Sequence, residues 1–283
     1  MVFSRLRKQT GFVVLSPSRS AAVDHFRKVQ VDNRRHDDLC AEMQRFRGAV
    51  YLKDGAIRPS DLSDGRHKMS IDEHSWHVLS LDSNGRIRGV VRFLEERSTA
   101  CFNDLWVRQA ALARSPTLGS RFRRAVETEM ERARRLQMRF GEVGGWAVAE
   151  EHRWTLEPLR IILAAYGLGQ LLGGCAGVAT ATMRHKSASI LRRIGLNSLR
   201  WDGAELPPYY DPRYQCEMEV LQFDTRIPNP KYRDSVRELS QALANSPVIC
   251  RDSIKSVFQN VWRGFEMPIN DSPGLGDLMP AMG

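Results

Sequence analysis

Glu142 leads into Val143-Gly144-Gly145-Trp146 within an apolar stretch, and this grouping can do chemistry. A carboxylate can take the proton that an ammonium must lose before its nitrogen attacks a carbonyl. The glycines let backbone approach a ligand closely. The N–H groups from Val143 to Trp146 can then stabilise the oxyanion formed when a thioester is attacked. Together these residues read as acyl transfer to an amine. Competing constellations are weaker. Asp72, Ser75 and His77 have the residue types of a hydrolytic triad, but they crowd into one short stretch, and no G-x-S-x-G elbow exists. Cys40, Cys101, Cys175, Cys216 and Cys250 are widely spaced and lack C-x-x-C. They read as reduced thiols of a cytoplasmic protein, with no metal site.

Such residues need a rigid strand and an open neighbour, and the surrounding pattern supplies both. Glu142–Val148 reads as a buried strand whose glycines mark a bulge. Leu156, Leu159, Ile162, Leu163 and Tyr166 recur at helical spacing behind Thr155, Glu157 and Pro158. Gly173, Gly174 and Gly177 end that helix, Val178–Met183 is a second strand, and Ser187 opens a short helix closed by Gly195. A strand–helix–strand unit of this length implies a parallel pair with a right-handed crossover. If the pair splays, it leaves a slot for a thioester. The small Ala164, Ala165, Gly167 and Gly169 suggest an acyl tunnel beside the slot, and Trp146, Trp154 and Tyr166 pack the core or wall that tunnel. Gly167-x-Gly169 falls too late in the helix for a phosphate loop and reads as close packing.

Upstream, residues 21–30 and 36–47 are expected as two basic amphipathic helices, and 51–70 as a long loop. Asn84-Gly85 between β-patterned runs predicts a hairpin, and 119–140 a charged helix. Downstream, Cys216–Phe223 is expected as the last strand and 229–265 as helical. The expected organisation is a basic segment 1–20, one catalytic domain 21–225, a helical extension 226–266 and a disordered tail 267–283. The fold class is α/β (α+β), a mixed, twisted central sheet with a splayed parallel strand pair, flanked by helices.

The chain has 283 residues, 42% of them hydrophobic, enough for one sizeable core. No apolar run reaches the roughly eighteen residues of a membrane span, and Pro17 cuts short the apolar start of what would otherwise resemble a signal peptide. The formal net charge is +9, carried by arginine clusters. Nucleic acid is disfavoured, because the middle cluster interleaves with Glu127, Glu129 and Glu131 and no nucleic-acid-binding motif appears. An acidic protein partner suits the same surface, and a homodimer is compatible with it.

Arg47-x-x-Val50-Tyr51, Asp72-x-x-Ser75-x-His77-Val78-Leu79 and Asp82-x-x-Gly85-x-Ile87-x-Gly89-x-x-Arg92 precede Glu142. In order and spacing, residues 45–195 resemble the GNAT acyltransferase superfamily, in the branch of acyl-homoserine-lactone synthases and N-acyl amino acid synthases. The resemblance implies a GNAT-like sheet. It implies Arg47 and Arg92 as ligands of an acceptor carboxylate or as partners of Asp72, and Asp72 as ligand of the acceptor amine or as a loop cap. His67 stands where those synthases place an acid, which makes it, with Glu142, a candidate base; a neutral imidazole near pH 7 suits that task. Val143, Gly144, Gly145 and Trp146 are the expected thioester contacts. Tyr209, Tyr210 and Tyr214 are candidates to protonate the departing thiolate, with no spacing to choose among them.

The chain departs from that branch in three places. Met69 also replaces an acid, the early tryptophan that helps hold S-adenosylmethionine is absent, and Gly145 stands where an arginine is usual. These changes favour a different amine, such as an amino acid. The Q/R-x-x-G-x-G/A turn that holds the coenzyme A pyrophosphate in common GNAT enzymes is replaced by Glu150–Thr155, which has no glycine and opens with two acids. The favoured donor is therefore an acyl carrier protein presenting only phosphopantetheine, with acyl-CoA as the other co-substrate and no tightly bound cofactor. The alternatives are an acyl- or acetyl-CoA-dependent N-acetyltransferase, and a non-catalytic GNAT-like module binding nucleic acid or protein through its basic face.

Overall fold

Short apolar runs separated by glycine and asparagine turns dictate a strand-rich core. The computed structural model, which describes residues 11–17 and 24–251, builds that core into one large mixed sheet. In chain order come β1 (Phe12–Leu15), β2 (Lys28–Val31), α1 (Asn33–Lys53), β3 (Ser75–Leu81), β4 (Ile87–Glu95), α2 (Gly119–Arg135) and β5 (Arg139–Val148). Then follow α3 (Glu157–Leu171), β6 (Cys175–Thr182), α4 (Ser187–Ile194), the two-residue strands β7 (Asn197–Ser198), β8 (Arg200–Trp201) and β9 (Ala204–Glu205), and β10 (Tyr209–Asp211). The last elements are β11 (Cys216–Asp224), α5 (Arg233–Ala244) and β12 (Pro247–Cys250). The sheet order is β10-β11-β6-β5-β4-β3-β1-β12-β2, with β7 added on β11.

The core lies on both faces. Val14, Trp76, Val78, Val91 and Phe93 pack with α3 residues Ile161–Tyr166. The alternate residues Val13, Leu15, Leu79 and Val90 pack with Met43 of α1 on the opposite face. Further along that opposite face, Phe122, Ala125 and Val126 of α2 cover Phe140 and Val178. The expected hairpin is β3–β4, with Gly85 at φ 80° in its turn. The expected strand–helix–strand–helix unit is β5-α3-β6-α4, and its two strands pair in parallel.

Four expectations are corrected, the first being the charged helix 119–140, which stops at Arg135 so that β5 begins at Arg139. The first of the two amino-terminal helices does not form over the described residues 24–30: Lys28–Val31 is an edge strand, and residues 21–23 lie outside the described part. The second runs longer than expected, because Asp32 caps it by accepting from the Arg35 N–H at 2.9 Å, and it continues to Lys53. The stretch 229–265 is helical only in α5; Pro247–Cys250 is a strand inserted between β1 and β2. β12 therefore adds to the central sheet from within the expected helical extension, as β1 does from within the expected basic segment. The tail 267–283 lies outside the described residues.

The expected tunnel along α3 is filled. A Cβ on Gly167 would lie 2.8 Å from the Ser240 backbone nitrogen, and one on Gly169 would lie 2.6 Å from the Thr225 methyl group. The small residues let α5 and the end of β11 press directly onto α3.

Candidate active site

Two hydrogen-bond ladders loosen at the same place on β5. Its parallel register with β6 runs from Arg139↔Cys175 to Val143↔Ala179 and stops, although both strands continue. On the other side, Val90 pairs with Ala147 but Arg92 pairs with Gly144, so Gly145 and Trp146 form a bulge. Gly145 has φ 60°, which a side chain would strain. A Cβ there would also lie 3.1 Å from Arg92 Cβ. Both ladders therefore part at the glycines singled out in the sequence, β5 staying in register with β6 only as far as Val143.

The charged groups gather on the α1/α2 face of the sheet, beside this bulge. Arg47, fully buried, donates from Nη1 to Asp72 Oδ1 at 2.9 Å and from Nη2 to Oδ2 at 2.7 Å. Gln44 Nε2 and the Met69 N–H also donate to Oδ2. Burial opposes the charge on Asp72, but the Arg47 guanidinium outweighs it and pulls the pKa down to about 2. Arg47 and Asp72 are thus committed to each other. Arg92 is different. It is 3% exposed, its contact is the Met69 sulfur at 3.2 Å, and among the described residues it forms no ion pair. Its Nε is buried without a partner. Burial, and then the nearby Arg47 charge, lower its pKa. Arg92 Nη2 lies 2.9 Å from where a Cβ of Gly144 would stand, so the unpaired guanidinium borders the slot.

The two histidines of this face are neutral. Burial pulls His67 down to about 4, with Arg47 adding to the effect, and pulls His77 to about 4 against the pull of Asp72. His77 Nε2 bonds the Asp72 carbonyl at 2.9 Å; His67 packs beside the Tyr51 ring. The Tyr51 hydroxyl donates to the Trp146 carbonyl at 3.3 Å, reaching from α1 to the bulge. Burial, with Tyr214 nearby, lifts its pKa to about 12. Of the three tyrosines considered as proton donors, Tyr210 is exposed, Tyr209 is buried with its hydroxyl unpartnered, and Tyr214 is half-buried.

Glu142 is buried and pinned. The Trp106 N–H donates to Oε1 at 2.6 Å and the Val107 N–H to Oε2 at 2.7 Å, which staples the loop before α2 onto the sheet. Burial raises its pKa against those donors and Arg92. Glu96 lies against it; burial and the Glu142 carboxyl push Glu96 up to about 8. Glu96 and the Trp106–Val107 staple are the features the sequence reading missed. Neither carries a local signal, because their meaning depends on contacts made across the sheet.

The first residue of α3 is a buried acid. Glu157, 4% exposed, is bonded by Arg88 and lies 3.4 Å from Arg160 Nη1. Among the described residues no group of three or more His, Cys, Asp and Glu could hold a metal ion, and no helix is long and apolar enough to cross a membrane.

This arrangement of elements has counterparts. The fold resembles that of known acyl-transferring synthases. A structure described as a CoA-dependent acyl-homoserine lactone synthase, BjaI, with SAM and isopentyl-CoA, aligns over 86% of this chain and 93% of its own at 15% identity and a TM-score of 0.49. FeeM, an N-acyl amino acid synthase from uncultured soil microbes, aligns over 75% and 94% at 11% identity and 0.44. An agmatine N-acetyltransferase mutant aligns over 75% and 99% at 18% identity and 0.43. No protein-family model and no curated protein matches the sequence. At such identities and TM-scores the likeness carries no argument about the site, whose chemistry rests on its own residues.

Proposed function

We propose that this chain is an amide-forming N-acyltransferase. It would move an acyl group from a carrier thioester to the amine of a small acceptor that bears a carboxylate, an amino acid in the first instance. The observation that carries this reading is the slot at Gly144–Gly145 with the unpaired, buried Arg92 beside it. A parallel pair that separates beyond Val143 offers backbone to a thioester, and a guanidinium without a carboxylate offers a seat to one.

In this reading the thioester carbonyl lies along Val143–Trp146, whose N–H groups receive the developing oxyanion. Arg92 holds the acceptor carboxylate, while Arg47 and Asp72 keep the floor of the site rigid. Glu142 takes the ammonium proton. Its raised pKa makes it a stronger base than an ordinary carboxylate, whereas His67 near 4 is neutral but too weak a base for the task. The amine nitrogen then bonds to the carbonyl carbon and loses its second proton to solvent, the carbon–sulfur bond breaks, and the departing thiolate takes up a proton from solvent, leaving an amide and a free thiol. Acyl carrier protein is the favoured donor. The stretch Glu150–Thr155 before α3 opens with two acids and has no glycine, which disfavours a nucleotide diphosphate there, and a chain of net charge +9 suits an acidic carrier.

Incubation of the full chain with long-chain acyl carrier protein and pooled amino acids should give an N-acyl adduct by mass spectrometry, with acyl-CoA as the parallel donor. Absence of adduct from every donor, together with salt-sensitive DNA binding, would replace this reading with a non-catalytic one.

A further inference from the structure

The end of β4 brings a second carboxyl beside Glu142. Leu94 pairs with Glu142 and Arg92 with Gly144, and the Glu96 N–H donates to the Phe140 carbonyl at 2.9 Å, which carries the ladder one residue past β4. Side chains alternate along a strand, so Arg92, Leu94 and Glu96 share a face with Gly144, Glu142 and Phe140. Glu96 therefore lies diagonal to Glu142, on the side away from Arg92. Its neighbours supply no partner of opposite charge: Arg139 pairs with Glu95, Arg97 is exposed, and Asp104 is a further acid that accepts the Cys101 N–H at 2.8 Å. Among the described residues Glu96 forms no ion pair, and its Oε1 is buried without a donor. The group set against it is the Glu142 carboxyl.

Two carboxyl groups in contact out of water cannot both stay ionised, and an enclosed carboxyl oxygen without a donor is relieved when the pair holds a proton. We propose that Glu96 and Glu142 share a single proton at neutral pH, and that Glu96 is a positioning residue that carries the proton taken up by Glu142 out to solvent. The inference rests on the acyltransferase reading and completes the path of its first proton. Each Glu142 oxygen accepts one backbone N–H, from Trp106 or Val107, and keeps a further acceptor site. One such site takes the Glu96 proton, and the other remains for the ammonium. Glu142 is 5% exposed and has no outlet of its own, whereas Glu96 is half-buried and reaches solvent. The resting pair then holds one proton and one negative charge. When the ammonium gives up a proton, the pair holds two protons and no charge, and the neutral amine attacks. Glu96 releases one proton to solvent, which restores the resting pair. The other charges acting on the pair are Arg92 on the slot side, Asp104 from the loop before α2 and Arg97 after β4. Burial raises the pKa of both glutamates, the direction that a shared proton requires.

The shared proton is read without turnover, by nuclear magnetic resonance of the full chain labelled with carbon-13 at its glutamate carboxyls. A glutamate still protonated at pH 7 should titrate near pH 8. That titration should vanish in Glu96→Gln. In Glu142→Gln it should move towards the ordinary carboxylate range, because the amide offers Glu96 a donor in place of a like charge. Circular dichroism confirms that both variants fold. Absence of any glutamate protonated at pH 7 in the unsubstituted protein, or a titration near pH 8 that survives in folded Glu96→Gln, overturns the pair. The exit role is read by turnover. Glu96→Gln keeps a hydrogen bond to Glu142 but cannot take a proton, so kcat should fall at least about 10-fold with the acceptor KM unchanged. The inflection near pH 8 should also disappear from its pH profile. An unchanged kcat and profile in folded Glu96→Gln overturns the exit role and leaves acyl transfer standing. No adduct from any donor, with the titration near pH 8 intact, removes acyl transfer and the exit role together and keeps the one-proton pair.

Discussion

An arginine buried without a hydrogen-bonded carboxylate is costly to the fold unless nearby charge offsets it; Arg92 is in that position, with Asp72 and Glu142 acting on it only at a distance. Replacing it with Gln should therefore do little harm to stability and specific harm to acceptor binding. Charge-assisted hydrogen bonds of about 1.5–3 kcal/mol correspond to an acceptor KM raised roughly 10- to 100-fold. The matching amine without its carboxylate should become as good a substrate as the amino acid. Steady-state kinetics with the two acceptors checks this, and an unchanged preference removes Arg92 from acceptor binding. Glu142→Gln should lower kcat roughly 10²-fold or more, and His67→Asn much less; equal losses would move the base away from Glu142. The neutral histidines have a consequence for stability. The His77 pKa is depressed from 6.5 to about 4, so its contribution is fully present above pH 6.5 and is lost as pH falls towards 4. At 1.36 kcal/mol per unit this is about 3 kcal/mol. Denaturant titrations from pH 7 to 4 should show that loss, with a flatter profile in His77→Gln.

At the scale of elements, the bulge on β5 does most to make a slot. Gly145 holds φ 60°, and a side chain would meet both Arg92 and Arg47. Gly145→Ala should cost about 1–2 kcal/mol of stability from backbone strain. It should also cut activity beyond that, since straightening the strand would restore the ladder and close the slot. Thermal melts and initial rates separate the two effects; full activity in the variant would show that the bulge is not needed. That bulge was legible in the sequence because glycines interrupt an otherwise apolar strand, and the β3–β4 hairpin because Asn84-Gly85 marks its turn. Strand β2 was not, since its four residues are all exposed and owe their conformation to pairing with β12, more than two hundred residues away. The small residues of α3 show the same limit. They announce close approach, but only the structure reveals that a helix and not a lipid chain comes close. Glu142 was found by its place at the head of a strand, whereas its staple to Trp106 and Val107 depends on a loop 35 residues away in sequence.

For the whole molecule, the sheet is closed late in the chain. β12 lies between β1 and β2 and pairs in parallel with both, so the amino-terminal strands are joined through the last described element. Val248 and Ile249 are fully buried and Cys250 is 5% exposed. At roughly 1.5–3 kcal/mol for each large apolar side chain buried, removing this strand would take away about 5 kcal/mol, and β2 would lose its partner as well. Domains of ordinary stability hold about 5–15 kcal/mol in total. A chain ending at Ser246 should therefore melt far below the full protein, or fail to fold cooperatively, although it keeps every residue of the candidate site. Circular dichroism melts and limited proteolysis check this. A cooperative melt within a few degrees of the full chain would show that the site-bearing strands form an independent unit and that the carboxyl-terminal strand is an appendage. The reason to expect otherwise is geometric. α1, which supplies Arg47 and Tyr51, packs across β1 and β12 as well as β4 and β5. Loosening that end of the sheet would release the helix that carries the buried Arg47–Asp72 pair and the Tyr51 contact to the bulge.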